Sequence, residues 1–118
     1  MRFLLVDDSN TMRRIAKNQL AGMGITDIVE AENGQDAIEK LQANMPIDFM
    51  TLDINMPVKD GMTTLREIRA DDKYKDVKIV MLTSESEKKT VLEALQAGAN
   101  NYVVKPFTPD VLRDKLGI

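Results

Sequence analysis

The sequence predicts a doubly wound α/β domain, a five-stranded parallel sheet with helices on both faces. Five short apolar runs alternate with five stretches of helical periodicity. The apolar runs are rich in Val, Ile, Leu and Met and mostly lack polar alternation, as strands covered on both faces do. Alternation of strand and helix then implies parallel pairing through right-handed crossovers.

Taken in order, Phe3–Val6 is the first strand. Met12, Ile15, Ala16, Leu20 and Met23 form one stripe of the helix that follows; Ser9 is its candidate cap, and Gly22 and Gly24 bracket its end. Ile28–Ala31 is the second strand, and Ala37, Ile38 and Leu41 are the inward residues of the second helix. Phe49–Leu52 is the third strand. Met62, Leu65 and Ile68 stripe the helix after it, with Asp60 as cap. Val77–Thr83 is the fourth strand, and Thr83 or Ser84 is expected to cap the next helix. Val91, Leu92 and Leu95 form that helix's stripe, and Gly98 is placed to stop it. Tyr102–Val104 is the fifth strand. Thr108, Pro109 and Asp110 open the last helix as cap, first-turn proline and acid, and Leu112 and Leu116 face inward. Roughly ten residues follow that cap, so the last turn is expected to fray.

The 118 residues fit one compact domain, 1–118, with no linker, low-complexity tract or internal repeat to divide them. That length supports a hydrophobic core without staples but leaves no room for a second folded output module. The net charge of −3 gives no reason to expect nonspecific attraction to nucleic acid or an anionic membrane. With no cysteine and no histidine, thiol redox chemistry, a Ser-His-Asp triad, a His-ligated zinc site and a histidine phospho-carrier within the chain are excluded. The opening MRFLLVDD is too short for a signal-peptide core, and no apolar stretch approaches the about 20 residues of a membrane span. A cytoplasmic address is compatible with both.

In an open α/β sheet the binding crevice lies at the carboxyl ends of the strands. Those ends carry Asp7 and Asp8, Asp53, Thr83 and Ser84, and Lys105 and Pro106, while Glu32 follows the second strand. Three close carboxylates repel one another, which raises their pKa values unless a cation intervenes. Magnesium prefers oxygen donors and needs only one or two carboxylates and a carbonyl. Beside it, a lysine and a hydroxyl are suited to phosphoryl oxygens, and a carboxylate can act as the nucleophile. Taken singly, Asp53 reads as a turn or cap residue, Lys105 as a surface lysine and Tyr102 as a half-buried core aromatic. Their convergence at one edge is what points to phosphoryl transfer.

The segments LLVDDSNTMRR, LDINMPVKDG, VMLTSES and NYVVKPFTP stand in the order and spacing of a response-regulator receiver domain. The whole chain resembles that family, whose fold implies a flavodoxin-like strand order of 2-1-3-4-5. The resemblance implies Asp53 as phospho-acceptor, with Asp8 as a direct magnesium ligand, Asp7 as the acid that orients metal-bound water and the Asn55 carbonyl as third protein ligand. It implies Lys105 as the phosphoryl contact, Thr83 as the hydroxyl that moves toward the phosphate and Tyr102 as the aromatic switch. It also implies a cis Lys105–Pro106 bond, which only X-Pro bonds adopt cheaply, and Asn55 and Glu85 as tuners of dephosphorylation.

The implied partners are a histidine kinase and, from the likeness to single-domain chemotaxis members, the flagellar motor switch, with a phosphatase as a further partner. The implied state is a monomer, and the implied output face is the fourth helix, fifth strand and fifth helix. Arg13, Arg14 and Lys17 form a basic patch on the first helix, read either as a solvated face or as a docking site for an acidic partner. Two other readings stay open. One is a stand-alone phosphorelay or phosphate-sink receiver. The other is an aspartyl-nucleophile phosphatase of the haloacid-dehalogenase type, which Asn55 disfavours because that family wants an acid there.

Overall fold

The computed structural model describes residues 1–84 and 88–118. Its strands are β1 (Arg2–Val6), β2 (Asp27–Ala31), β3 (Phe49–Asp53), β4 (Lys78–Thr83) and β5 (Asn101–Val104). Its helices are α1 (Asn10–Gly22), α2 (Gly34–Asn44), α3 (Gly61–Arg69), α4 (Lys88–Gln96) and α5 (Pro109–Leu116). The strands form one sheet in the order β2-β1-β3-β4-β5, with every neighbouring pair parallel.

Side chains alternate across the strands and feed a core on each face. Phe3 and Leu5 pack with Phe49, with Ala16 and Leu20 of α1 and with Leu112 and Leu116 of α5. Leu4 and Val6 point the other way, toward Ala37 and Leu41 of α2, Leu65 and Ile68 of α3 and Val91 and Ala94 of α4. All five residues of β3 are buried, so the strand that ends in Asp53 runs through the middle of the molecule. Truncating a fully buried core residue such as Leu65 to alanine costs about 2–5 kcal/mol.

Capping follows the expected chemistry at three helices. Ser9, Asp60 and Thr108 each accept a backbone N–H from the first turn of their helix. The bond from Thr63 N–H also holds the Asp60 carboxyl below its usual range. α2 uses Asn33, which accepts from Asp36 N–H at 2.8 Å.

The structure corrects several expectations. β4 begins at Lys78 rather than Val77, because Val77 closes a short 3-10 helix (Asp72–Tyr74) by donating its N–H to the Tyr74 carbonyl at 3.2 Å. Thr83 ends β4, and the described part of α4 runs from Lys88; the cap expected at Thr83 or Ser84 concerns residues 85–87, which lie outside the described residues. In α4 the buried residues are Val91 and Ala94, while Leu92 and Leu95 are 63% and 37% exposed. The pairs Val91/Ala94 and Leu92/Leu95 each share a helical face, and the small Ala94 side chain lets the helix sit close to the sheet. Ile15 is likewise 42% exposed beside the buried Ala16. The last turn of α5 is closed, with Gly117 at φ 74° and bonds back to Arg113 and Asp114.

Arg69, at the end of α3, was not anticipated. Its guanidinium donates to the carbonyls of Gly98 (2.9 Å), Tyr74 (2.9 Å) and Val77 (2.7 Å) and to Asn100 Oδ1 (2.9 Å). Asn100 Oδ1 also accepts from Ile79 N–H, so one side chain ties α3 to the start of β4 and to the turn between α4 and β5.

Candidate functional site

The strand order reverses direction between β1 and β3, which opens the crevice at their carboxyl ends. The register pairs Val6 with Leu52, so Asp7 and Asp53 leave the sheet side by side. Asp53 itself is level with Leu82 on β4, and Thr83 is level with Val104 on β5. The parallel register thus delivers Asp7, Asp53, Thr83 and Lys105 to one edge from strands far apart in the chain.

The carboxylates of Asp7, Asp8 and Asp53 each offer an oxygen within 4.8 Å of the others. Asp7 and Asp53 are buried and Asp8 is exposed. Lys105 spans the two buried acids, with Nζ 2.9 Å from Asp7 Oδ2 and 3.1 Å from Asp53 Oδ2. Asp7 Oδ1 accepts the Ser9 N–H at 2.9 Å. Burial pushes the Asp53 carboxyl up, to about 6; the Lys105 charge pulls it down, while Asp7 and Asp8 push it further up. Burial also works against the Lys105 charge, but the hydrogen bond to Asp7 and the attraction of Asp53 outweigh it and raise its pKa. Among the described residues, one ammonium against three carboxylates leaves the pocket an excess of negative charge and hard oxygen donors. That donor set fits a small divalent cation such as magnesium.

The loop after β3 is held tightly. Ile54 donates its N–H to Leu82 O at 3.1 Å and accepts from Gly61 N–H at 2.8 Å. A Cβ at Gly61 would lie 2.2 Å from the Asp53 carbonyl oxygen, so the backbone of α3 approaches the end of β3 as only glycine allows. Asn55 is exposed on this loop, and the Lys105–Pro106 bond is cis.

Thr83 is buried at the end of β4. It lines a cavity of about 350 Å³ together with Val91, Leu92, Leu95, Tyr102 and Val104. Tyr102 is half-buried, and the Lys115 ammonium of α5 stands 5.1 Å from its ring centroid. Thr83 and Tyr102, anticipated as a coupled pair, therefore share one cavity. Glu85 lies outside the described residues. A roomier cavity of about 640 Å³ opens beside Phe49 and Lys78, at the other end of their strands from the carboxylates.

The basic patch on α1 is largely engaged. Arg13 pairs with Glu30 at 3.3 Å and Lys17 with the same carboxylate at 3.5 Å. Arg13 also donates to the Asp7 carbonyl and to Asn10 Oδ1. Nothing in the local sequence pattern signals that Arg13 turns toward the acidic pocket.

Compared with known proteins, residues 3–117 match the response regulator receiver domain family. The chain belongs to that family. A receiver domain is the phosphorylation-activated switch of a two-component system, and this is one. Among its relatives, chemotaxis protein CheY1 of Helicobacter pylori is 49% identical over the whole chain and 95% of its own length. A chemotaxis protein CheY homolog of Campylobacter jejuni is 48% identical over 98% of this chain and 89% of its own. The solved structure of Vibrio cholerae chemotaxis protein CheY4 superposes with a TM-score of 0.89 at 33% identity, covering 98% of this receiver domain and 95% of that chain.

Proposed function

We propose that Asp53 accepts a phosphoryl group from the phosphohistidine of a partner kinase, and that the resulting change on the α4–β5–α5 face controls binding to the flagellar motor switch in chemotaxis. The observation that carries the acceptor assignment is the contact of Lys105 with both Asp7 and Asp53 at the strand ends. An Asp53 carboxylate oxygen attacks phosphorus; a P–O bond forms as the donor's P–N bond breaks, and the electron pair returns to the imidazole nitrogen. Lys105 already lies on Asp53 and needs little movement to meet a phosphoryl oxygen. Asp8, Asp53 and the Asn55 carbonyl would hold magnesium, with Asp7 orienting its water, and the ion would supply charge neutralisation to the phosphoryl oxygens. Attack of water on the acyl phosphate, flanked by Asn55, returns the resting state. The domain thereby promotes its own phosphorylation and dephosphorylation in the cytoplasm.

Thr83 then moves toward the phosphate and leaves room for the Tyr102 ring in the cavity they share. Exposed Leu92, Leu95 and Val104 give that face an apolar surface for a partner to read. The relatives named for chemotaxis support the motor as the target. Phosphorylation with a small phospho-donor and magnesium, followed by binding to motor-switch peptides, tests the reading. Uptake of phosphate without any gain in peptide binding would favour a stand-alone phosphorelay or phosphate sink.

A further inference from the structure

We propose that Arg13 is a positioning residue for the cation site, acting through the backbone of Asp7. The inference rests on the reading above that Asp8 and Asp53 hold magnesium. Arg13 closes the first turn of α1, and its side chain is only 14% exposed. Its guanidinium is committed in three directions: to the Asp7 carbonyl, to Asn10 Oδ1 and to Glu30 Oε1 at 3.3 Å. Glu30 projects from β2, so the guanidinium is braced by the sheet as well as by its own helix.

Asp7 is consequently held at every polar atom. Its N–H donates to Ala31 O at 3.2 Å, its carbonyl accepts from Arg13, and its carboxylate oxygens accept from Ser9 N–H and Lys105 Nζ. The peptide that follows is planar, so fixing the Asp7 carbonyl fixes the point from which Asp8 departs. Asp8 is exposed, and its aim is set by that peptide rather than by packing. Partners one shell beyond a ligand commonly govern metal affinity about 10–100-fold by orienting it.

The sign of the effect separates this role from simple electrostatics. A cationic side chain beside a cation site opposes metal binding, so removing it should tighten binding by Coulomb's law. Positioning predicts the reverse. Magnesium titrations followed by the amide shifts of Asp8 and Asp53 should show Arg13→Ala binding about tenfold more weakly. Arg13→Lys keeps the charge but loses the planar fork, and should also bind more weakly than the wild type. Lys17→Ala removes the neighbouring charge on Glu30 without touching Asp7, and should bind at least as tightly as the wild type. The Asp8 amide shift of Arg13→Ala should also differ from the wild type before any metal is added.

A folded Arg13→Ala that binds magnesium as tightly as the wild type, or more tightly, overturns this inference alone. If that variant does not fold, Arg13→Lys carries the test, and wild-type affinity there overturns it. A wild type whose amides at residues 7, 8 and 53 ignore magnesium overturns the metal reading, and the role of Arg13 with it.

Discussion

Lys105 reaches from the end of β5 to within 3.1 Å of the Asp53 carboxylate at the end of β3. The contact crosses the intervening strand β4, and it depends on the parallel register that brings these strand ends level. Despite this attraction the Asp53 carboxyl titrates at about 6, above its usual 3.8, because burial and the two neighbouring aspartates outweigh one lysine.

That balance predicts a pH signature. The folded state holds a proton on Asp53 more tightly than the unfolded chain does, so stability falls as pH rises from about 4 to about 6. Asp53→Asn removes this dependence. In urea unfolding with chelator present, the mutant should gain on the wild type across that window and be the more stable at pH 7, by an amount on the order of 1–3 kcal/mol. A difference independent of pH would contradict the assignment. The same variant keeps the shape of the Asp53 side chain but loses the proposed nucleophile, so mass spectrometry after exposure to a small phospho-donor should find no acyl phosphate.

Asp8→Ala tests the cation site. Magnesium that binds only the folded state raises its stability by mass action, about 2.7 kcal/mol at a hundredfold excess over Kd. The thermal midpoint of the wild type should climb with added magnesium, and that of Asp8→Ala much less. Equal responses would place the ion elsewhere.

Thr83→Ala addresses the switch. The variant keeps Asp53 and should still take up phosphate, but it lacks the hydroxyl proposed to link the phosphate to Tyr102. Coupling between linked sites is typically of order 1–3 kcal/mol and is reciprocal, so partner binding must favour the phosphate-mimic state by the same factor. Titrating a motor-switch peptide with and without a beryllofluoride mimic should show a large affinity ratio for the wild type and a ratio near one for Thr83→Ala. An unchanged ratio would route the signal around Thr83.

Thr51 lies two residues before Asp53 on β3. Its buried hydroxyl has no hydrogen-bond partner among the described residues. A buried unsatisfied polar group costs about 1–3 kcal/mol, and valine has the same shape without that cost. Thr51→Val should therefore raise the urea midpoint while leaving phosphoryl uptake intact. A loss of stability would mean that the hydroxyl is satisfied in solution.

Much of the molecule was legible in the linear sequence for a local reason. A strand buried on both faces must be an apolar run, and the polar residue that ends it marks where the chain leaves the core. Asp7, Asp53, Thr83 and Lys105 stand at such ends, while the caps Ser9, Asp60 and Thr108 are legible as polar residues just before a helical stripe. Local periodicity also shows that a helix has an apolar face, but not which of two candidate faces meets the sheet. In α4 that choice was made by packing, which put Val91 and Ala94 inward and left Leu92 and Leu95 exposed. The remaining decisions belonged to contacts between residues far apart in the chain. Arg13 reads as a surface cation until β2 brings Glu30 to one side of it and β1 places the Asp7 carbonyl on the other. Arg69 finds its acceptors only because the turn before β5 passes the end of α3. A long polar side chain takes its role from whichever unpaired backbone groups the folded sheet brings within reach, and only the tertiary structure decides which those are.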